Sequence, residues 1–442
     1  MAYPAASAEP TRQRFYKNVT GDKHRQDNQL TVKSNTFDNS LGTELKKKVA
    51  SNENGGIAMS RLKRADLQIQ QLIRFGSIAV AILFAGIILT TGPALRADDH
   101  HEFSKHEFNE RGNIVIADQF NNRVIEVDPE THEVIWQFGS GSDIPAPDSI
   151  VGTNDAERVG DLTLISGTGI PGGVTPPLPG CSDPVNGCPD NRVIVVNEEG
   201  DIVWQYGQAG VAGAGPDQLN VPVAATFLPN GHVLITDQSN ERVIEVNKKE
   251  DIVWQYGMTG FTGSGFDELN NPNSAELLEN GHILIADENN NRAIEVDRGF
   301  NVIHTFTAGG TASGVAFASR LENGNTLLTD SNNSRIVEVD SSDNVVWEYF
   351  TNARPGSIAA PLPTRAVRLR NGNMLISDQF NNQVIEVNHE KEIVFTQGKI
   401  AGNFPPGNGF DELNGPYDAK VVGDFTGLTR PPKFDEDEHE RE

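Results

Sequence analysis

The sequence is short of basic residues and of recognisable catalytic motifs, and each shortage argues against a class of function. Lys and Arg number 36 against 61 Asp and Glu, which gives a formal net charge of −25. Binding to nucleic acid depends on neutralising phosphates with basic side chains, so nucleic acid is not an expected partner. The chain also contains no Gly-x-Ser-x-Gly elbow, no phosphate-binding loop and no paired zinc motif. We therefore expect neither a metal nor another cofactor.

Charge is absent altogether from residues 75–95, a run long enough to cross a bilayer as a helix. Up to residue 74 there are 13 Lys and Arg against 7 Asp and Glu, whereas from residue 98 onward there are 22 against 54. Basic residues before the run favour a cytoplasmic N-terminus. We expect residues 59–97 to form either a transmembrane anchor or a signal peptide cleaved after Ala94 or Ala97.

Both interpretations export the acidic part of the chain. An anchor gives a single-pass protein of the cell membrane with its main domain outside the cytoplasm, and cleavage gives a periplasmic or secreted protein. Residues 1–58 are polar and without periodicity, which is typical of a disordered cytoplasmic segment or of an over-called gene start before Met59. A linker is expected over residues 98–111 and an acidic tail over residues 424–442.

One motif recurs along the exported part. DQFNNRVIEVD at Asp118 returns as DQFNNQVIEVN at Asp378, with related copies at Thr236, Ala286 and Thr329 and a shorter copy at Asn191. Its Arg, replaced by Gln in the last copy, recurs at spacings of 69, 50, 50, 43 and 48 residues. A period of about 40 to 50 residues rich in β-branched side chains indicates a β-propeller. Six copies predict an all-β, six-bladed propeller over residues 112–423.

Each repeat also predicts the position of its strands. An apolar strand ends at the Asp of the motif, the RVIEV segment forms the next strand, and a segment such as IVWQY forms the outer strand. The outer-strand tryptophans should fill the space between neighbouring sheets. A small residue recurs in the inner strand, where space is limited. These columns contain Trp136, Trp204, Trp254 and Trp347, and Ala156, Ala225, Ala275, Ala318, Ala366 and Ala419.

The two ends of the propeller predict how the ring closes. No loop and inner strand precede residue 112, whereas residues 409–424, GFDELNGPYDAKVVGD, repeat a loop and an inner strand with no further blade behind them. A C-terminal strand over residues 417–422 should therefore complete the first blade and close the ring.

The repeat resembles that of a known family. Residues 263–297, GSGFDELNNPNSAELLENGHILIADENNNRAIEVD, resemble the NHL repeat, with its Gly-rich loop, Asn-Pro, glycine turn and Asp-x-x-Asn-Asn-Arg segment. The outer strand IVWQYG is also similar to that of arylsulfotransferase and PQQ-type propellers. The second blade departs most from the pattern, because Gly167 replaces the Asp and an insertion precedes Asn191.

Both cysteines lie in that insertion. Cys181 and Cys188 flank Pro and Gly in CSDPVNGC, which favours a local disulfide in an oxidising compartment. A metal site would need more ligands than the nearby Asp183 and Asp190 supply.

Residues that differ between blades are the candidates for binding. The column before the repeated Ala contains one cation, carboxylates and an aromatic residue, a plausible ligand-facing set at the mouth of the propeller axis. Arg365 is that cation, and it could bind an anion or neutralise Asp418. The alternative is ordinary mouth residues hydrogen-bonded to loops and water. The predicted set is Arg365, Asp418, Tyr417, Asn273, Ser274 and Asp155.

These features favour a module that binds a protein or a small molecule. The alternative is a propeller enzyme of the arylsulfotransferase type or of the NHL-like lyase or lactonase type. The first resemblance implies a nucleophilic histidine, but His232 and His282 occupy turns on the face opposite the predicted mouth. The second implies an axial metal, for which Asp155, Asp418 and Glu276 form a small ligand set. No catalytic residue is assigned from the sequence.

Overall fold

The computed structural model describes residues 107–424. The predicted N-terminal segment, the anchor or signal peptide, most of the linker and nearly all of the acidic tail lie outside the described residues. None of the helices within residues 107–424 is long and apolar enough to span a membrane.

The described chain forms six four-stranded antiparallel sheets arranged as the blades of a propeller, which confirms the predicted fold. Blade 1 contains β1 (Ile114–Asp118), β2 (Arg123–Val127) and β3 (Val134–Phe138), and blade 2 contains β4 (Thr153–Val159), β5 (Leu162–Gly167), β8 (Arg192–Val196) and β9 (Ile202–Tyr206). The insertion of blade 2 holds a short ribbon of β6 (Ile170–Pro171) and β7 (Gly187–Cys188).

Blades 3 to 6 follow the same order from the axis outward. Blade 3 contains β10 (Pro222–Phe227), β11 (Val233–Asp237), β12 (Arg242–Val246) and β13 (Ile252–Tyr256); blade 4 contains β14 (Pro272–Leu277), β15 (Ile283–Asp287), β16 (Arg292–Val296) and β17 (Val302–Phe306). Blade 5 contains β18 (Val315–Arg320), β19 (Thr326–Asp330), β20 (Arg335–Val339) and β21 (Val345–Phe350); blade 6 contains β22 (Arg365–Arg368), β23 (Met374–Asp378), β24 (Gln383–Val387) and β25 (Ile393–Gln397).

The C-terminal strand closes the ring as the sequence predicts. Strand β26 (Pro416–Val421) pairs antiparallel with β1, so blade 1 has the order β26-β1-β2-β3. Ala419 lies opposite Ile116. Ala225 likewise lies opposite Ile235 in blade 3, and the same register holds in the other blades, so the alanines form one column. Their side chains contribute to the apolar core between neighbouring blades.

The recurring Asp ends the second strand of its blade and organises the turn that follows. In blade 3, Asp237 precedes the 3-10 turn Gln238–Asn240, and Glu241 then takes a left-handed φ of 57°. One oxygen of Asp237 accepts hydrogen bonds from Asn240 and Arg242, at 2.7 and 2.8 Å. Its other oxygen accepts the backbone N–H of Asn220 at 2.7 Å. A fully buried carboxylate is thereby satisfied on both sides.

Equivalent Asp-to-Arg ion pairs occur at 2.7 Å in blades 1, 4 and 5. Blades 2 and 6 build the pair from other parts of the chain. In blade 2, Asp190 of the insertion binds Arg192 at 2.6 Å. A Cβ on Gly167 would lie only 2.7 Å from Cγ of Asp190, which explains the glycine there. In blade 6, Arg354 reaches Asp378 at 2.7 Å from the preceding loop.

The outer-strand tryptophans contact the next blade, as predicted. The indole N–H of Trp136 donates to the carbonyl of Glu198 at 2.8 Å. Trp254 and Trp347 donate to the corresponding turns of blades 4 and 6, each at 3.4 Å. Trp204 lies beside a cavity between blades 2 and 3.

Candidate functional site

The inner strands face the axis and use their side chains to satisfy one another. An inner strand has no further strand beside it, so some of its N–H groups need other partners. Asp155 of blade 2 accepts the N–H of Ala225 in blade 3 at 2.9 Å. Asp418 of blade 1 accepts the N–H of Ala156 in blade 2 at 3.2 Å, and the hydroxyl of Ser274 accepts that of Ala318 at 3.3 Å. Three of the predicted site residues are thus used in joining neighbouring blades.

A buried ion cluster joins the closing strand to blade 2. Lys420 of β26 pairs with Asp155 at 2.8 Å and with Asp418, and it also donates to the carbonyl of Ala156 at 3.0 Å. Burial raises the pKa of Asp418 to about 6, against the opposing effect of Lys420. Burial also acts to raise the pKa of Asp155, but Lys420 and then Arg365 outweigh it and lower that pKa. The closing strand therefore supplies the larger of the two cationic effects that keep Asp155 ionised.

Two further acids each follow the repeated Ala of their inner strand by one residue. Glu157 accepts the N–H of Phe227 at 2.9 Å, and Glu276 accepts the N–H of Arg320 at 3.0 Å. Burial raises the pKa of each of these carboxyls to about 8. Both are therefore mainly protonated at neutral pH.

Arg365 crosses the axis from blade 6 and is 1% exposed. Its guanidinium donates to the side-chain oxygen of Asn273 at 3.2 Å and to the carbonyls of Ala316 and Val223, at 3.3 and 3.2 Å. Asn273 belongs to the inner strand of blade 4, Ala316 to that of blade 5 and Val223 to that of blade 3. The cation also lies 5.0 and 5.3 Å from the ring centres of Phe317 and Tyr417. It ties blade 6 to three other blades across the axis.

The remaining predicted residues lie in the same network. The hydroxyl of Tyr417 is 2.9 Å from the amide nitrogen of Asn273, which also donates to Glu288 at 2.8 Å. All six residues are at most 5% exposed. The axial cavity beside Arg365 and Lys420 measures about 20 Å³, which is room for about one water molecule. The structure thus brings the predicted set together around a filled axis.

The sequence did not single out Lys420 or Glu157, the residues that complete the axial cluster. Lys420 follows Asp418 by two residues, and residues two apart on a strand point to the same side. That spacing, together with the acids of the adjacent column, is the signal that could have identified the cation.

The turn histidines His232 and His282 lie away from the axis. His232 and His282 occupy the first turn of blades 3 and 4 and bind Glu245 and Glu295, at 2.6 and 2.7 Å. These contacts hold the turns on the face opposite the Asp-x-x-Asn motifs.

Cys181 and Cys188 are joined by a disulfide. Asp143 lies beside it, and the three residues form the one group of potential metal ligands found within residues 107–424. Because the disulfide uses both thiols, this group does not offer thiolate ligands.

One face of the ring, here called the loop face, carries the 3-10 turns and the connections from each outer strand to the next inner strand. In the connection before blade 4, the N–H of Gly263 donates to the carbonyl of Leu269 at 2.9 Å, and the carbonyl of Gly263 accepts from the side chain of Asn290 at 2.7 Å. The N–H of Gly257 donates to the carboxylate of Asp267 at 2.7 Å. The connection before blade 1 repeats this pattern with Gly407, Leu413, Asn121, Gly398 and Asp411.

Each of these two hydrogen-bonded loops exposes a phenylalanine to solvent at the same position of the repeat. Phe266 is 68% exposed and Phe410 is 67% exposed, and each loop carries a second phenylalanine, Phe261 and Phe404, at 52% and 50%. The loops stand at the junctions of blades 3 with 4 and of blades 6 with 1. These junctions are three blades apart and so lie on opposite sides of a six-bladed ring.

No protein-family model matches the chain, and no curated protein sequence matches it. Solved structures, in contrast, do match the chain. A protein of unknown function from Bacteroides caccae is 15% identical with a TM-score of 0.46, over 65% of this chain and 93% of that chain. Virginiamycin B lyase from Staphylococcus aureus is 13% identical with a TM-score of 0.40, over 64% and 83%. A streptogramin B lyase is 12% identical with a TM-score of 0.42, over 67% and 86%. At these identities the likeness concerns the fold alone.

Proposed function

We propose that the protein is an exported, membrane-anchored propeller of the NHL-repeat type that binds a partner protein on its loop face. The observation that carries this proposal is the pair of exposed phenylalanines, Phe266 and Phe410, on equivalent rigid loops. Exposing an apolar ring to water is unfavourable, and neither ring is needed for the fold of its loop. Aromatic side chains at such positions are typical anchors of protein interfaces.

The rigidity of the loops supports this role. Asp267 and Asp411 accept backbone N–H bonds from Gly257 and Gly398, at 2.7 and 2.8 Å, so the loop shape is set before any partner arrives. Binding then loses little conformational entropy in these loops. The axis, by contrast, is occupied by Arg365 and the Lys420 cluster, which favours binding on the surface over binding within the ring.

The charge of the domain indicates the chemistry of the partner. From residue 98 onward the chain carries 22 Lys and Arg against 54 Asp and Glu. A surface of this sign attracts basic partners and repels acidic ones. The partner is therefore a protein with basic side chains around apolar residues that cover the phenylalanines.

Export and anchoring rest on the sequence and on the disulfide. The uncharged run over residues 75–95 follows basic residues, which favours an N-terminus in the cytoplasm. The Cys181 to Cys188 bridge suits an oxidising compartment. Both features agree with a propeller held outside the cytoplasmic membrane.

Photo-crosslinking of the full chain in the cells that produce it tests the proposal. Benzoylphenylalanine is placed at position 266 or 410, and the matched control is position 394, since Val394 is a 54% exposed apolar residue of the outer strand of blade 6. We expect one and the same protein to crosslink at positions 266 and 410 and not at 394. Phe266→Ala with Phe410→Ala should then weaken binding of that protein without lowering the melting temperature. Equal crosslinking at all three positions, or none at the loop positions, contradicts the proposal.

A further inference from the structure

The outer-strand aromatic residue of a blade packs against the turn between the third and fourth strands of the next blade. In that turn one residue has a left-handed φ and covers the aromatic ring. His132 stacks on Phe395 with ring centres 5.6 Å apart, and Phe300 lies 6.3 Å from Trp254. At the junction of blades 5 and 6, the ammonium of Lys391 lies 5.8 Å above the ring of Trp347. The covering residues have φ values of 63°, 71° and 69°.

Two junctions achieve their packing differently. Between blades 1 and 2 the turn offers Gly200, and Phe108 from the start of the domain packs 5.7 Å from Trp136 instead. Arg158 stacks against both rings there. Between blades 4 and 5 the outer strand carries His304 in place of a tryptophan, and Asp343 of the turn binds the backbone N–H groups of Thr307 and Ala308.

The junction of blades 2 and 3 has a cavity at this place. Glu250 occupies the position of Phe300 with a φ of 66°, but its side chain is exposed. Beside Trp204 lies a cavity of about 150 Å³ that is partly open to solvent and whose lining is almost wholly apolar. Its walls include Trp204, Phe227, Val195, Val233, Val246 and the alkyl chain of Lys248.

We propose that this cavity is a binding site for a small uncharged aromatic molecule with a single ring. Two observations support the choice of ligand. A phenyl ring already packs on the tryptophan at two other junctions, from Phe108 and from Phe300. The volume also suits such a ligand, because an apolar protein cavity of about 150 Å³ accommodates benzene. The site is independent of the loop face, because it lies beside the turns on the opposite side of the ring.

Toluene binding to the full chain tests the proposal, with fluorescence of the tryptophans and the melting temperature as readouts. Glu250→Phe should fill the cavity as Phe300 does and weaken toluene binding about tenfold or more, a loss of at least about 1.4 kcal/mol. The left-handed φ at Glu250 is already adopted by a phenylalanine at position 300, so this substitution is compatible with the turn. The matched control Glu250→Ala leaves the cavity open and should bind toluene as the unaltered protein does.

A second variant keeps the test decisive if Glu250→Phe does not fold. Phe300→Ala removes the ring from Trp254 and should create a second site, so that toluene binds at two sites instead of one. The proposal is overturned if toluene does not bind the unaltered protein, if folded Glu250→Phe binds it equally well, or if Phe300→Ala gains no site.

Discussion

In blades 3, 4 and 5 each recurring element comes from one stretch of chain, whereas blades 6, 1 and 2 take essential parts from elsewhere. Blade 3 contains its own four strands and its own pair of Asp237 and Arg242. Blade 1 takes its inner strand from the C-terminal end, and blade 2 takes its carboxylate from an insertion. Blade 6 takes its guanidinium from the preceding loop. The fold thus preserves an arrangement in space even where the repeat has lost it in sequence.

The strongest test of this contrast removes the part that blade 1 takes from the C-terminus. Deleting residues 415–442 removes β26 together with Asp418 and Lys420, so β1 becomes an unpaired edge and Asp155 loses its ion pair with Lys420. We expect loss of cooperative thermal unfolding and aggregation. Deleting residues 425–442 alone is the control and should leave the melt unchanged. If the protein lacking residues 415–442 still unfolds cooperatively within a few degrees of the full chain, β26 is not needed to close the ring.

The next test compares an ion pair built across an insertion with one built within a repeat. Asp190→Ala in blade 2 and Asp237→Ala in blade 3 each leave a buried arginine whose side chain is 3% exposed. Loss of one partner from a buried pair costs about 3–5 kcal/mol. Both variants should therefore lose similar unfolding free energy by chemical denaturation, and Glu199→Ala on the surface of blade 2 should lose almost none. A cost for Asp190→Ala no larger than the surface control would show that the insertion does not replace the missing Asp.

Part of this architecture can be predicted from the sequence. The number of blades and the closing strand follow from patterns that repeat along the chain, and the Asp and Arg that pair in blades 1, 3, 4 and 5 both belong to the repeated motif. The sequence did not identify Asp190 and Arg354 as ion-pair partners. Each reaches its partner from a loop, and the course of a loop depends on the blades around it. The column before the repeated Ala was located from its variability. That its carboxylates satisfy the N–H groups of the next blade depends on the spacing between blades, which no local pattern records.

Glu157 in blade 2 and Glu276 in blade 4 occupy equivalent positions of their inner strands. The pH dependence of stability therefore tests the same kind of buried carboxyl in two different blades. Burial raises the pKa of both Glu157 and Glu276 to about 8 from an ordinary value of 4.5. The unfolded chain releases these protons at lower pH than the folded chain does, so their contribution to stability is greatest below about pH 4.5 and is lost as the pH rises to about 8.

Glu157→Gln or Glu276→Gln should therefore reduce the fall in melting temperature between pH 5 and pH 8, as measured by thermal melts across that range. The two effects should be similar although only Glu157 faces Lys420, because burial dominates both pKa values. Melts of both variants that run parallel to those of the unaltered protein would contradict the raised pKa values.

The smallest effect is expected for the disulfide of blade 2. The bridge closes a loop between cysteines seven positions apart, and chain entropy limits its contribution to at most about 2 to 3 kcal/mol. Cys181→Ser with Cys188→Ser should shift the melting temperature by only a few degrees, as should a reductant acting on the unaltered protein. Loss of the cooperative melt, or a stoichiometric metal bound by the cysteines, would contradict a purely local role.

The geometry of the closing strand also determines how the domain responds to a pulling force. Ile114 at the start of β1 lies opposite Val421 at the end of β26, and Gly112 and Val422 are joined by a backbone hydrogen bond of 3.1 Å. The chain therefore enters and leaves the ring at the same end of one pair of strands. Tension applied between residues 112 and 422 would break the bonds between β1 and β26 one after another instead of loading them all at once. Blade 1 would open first, while the other blades stayed paired.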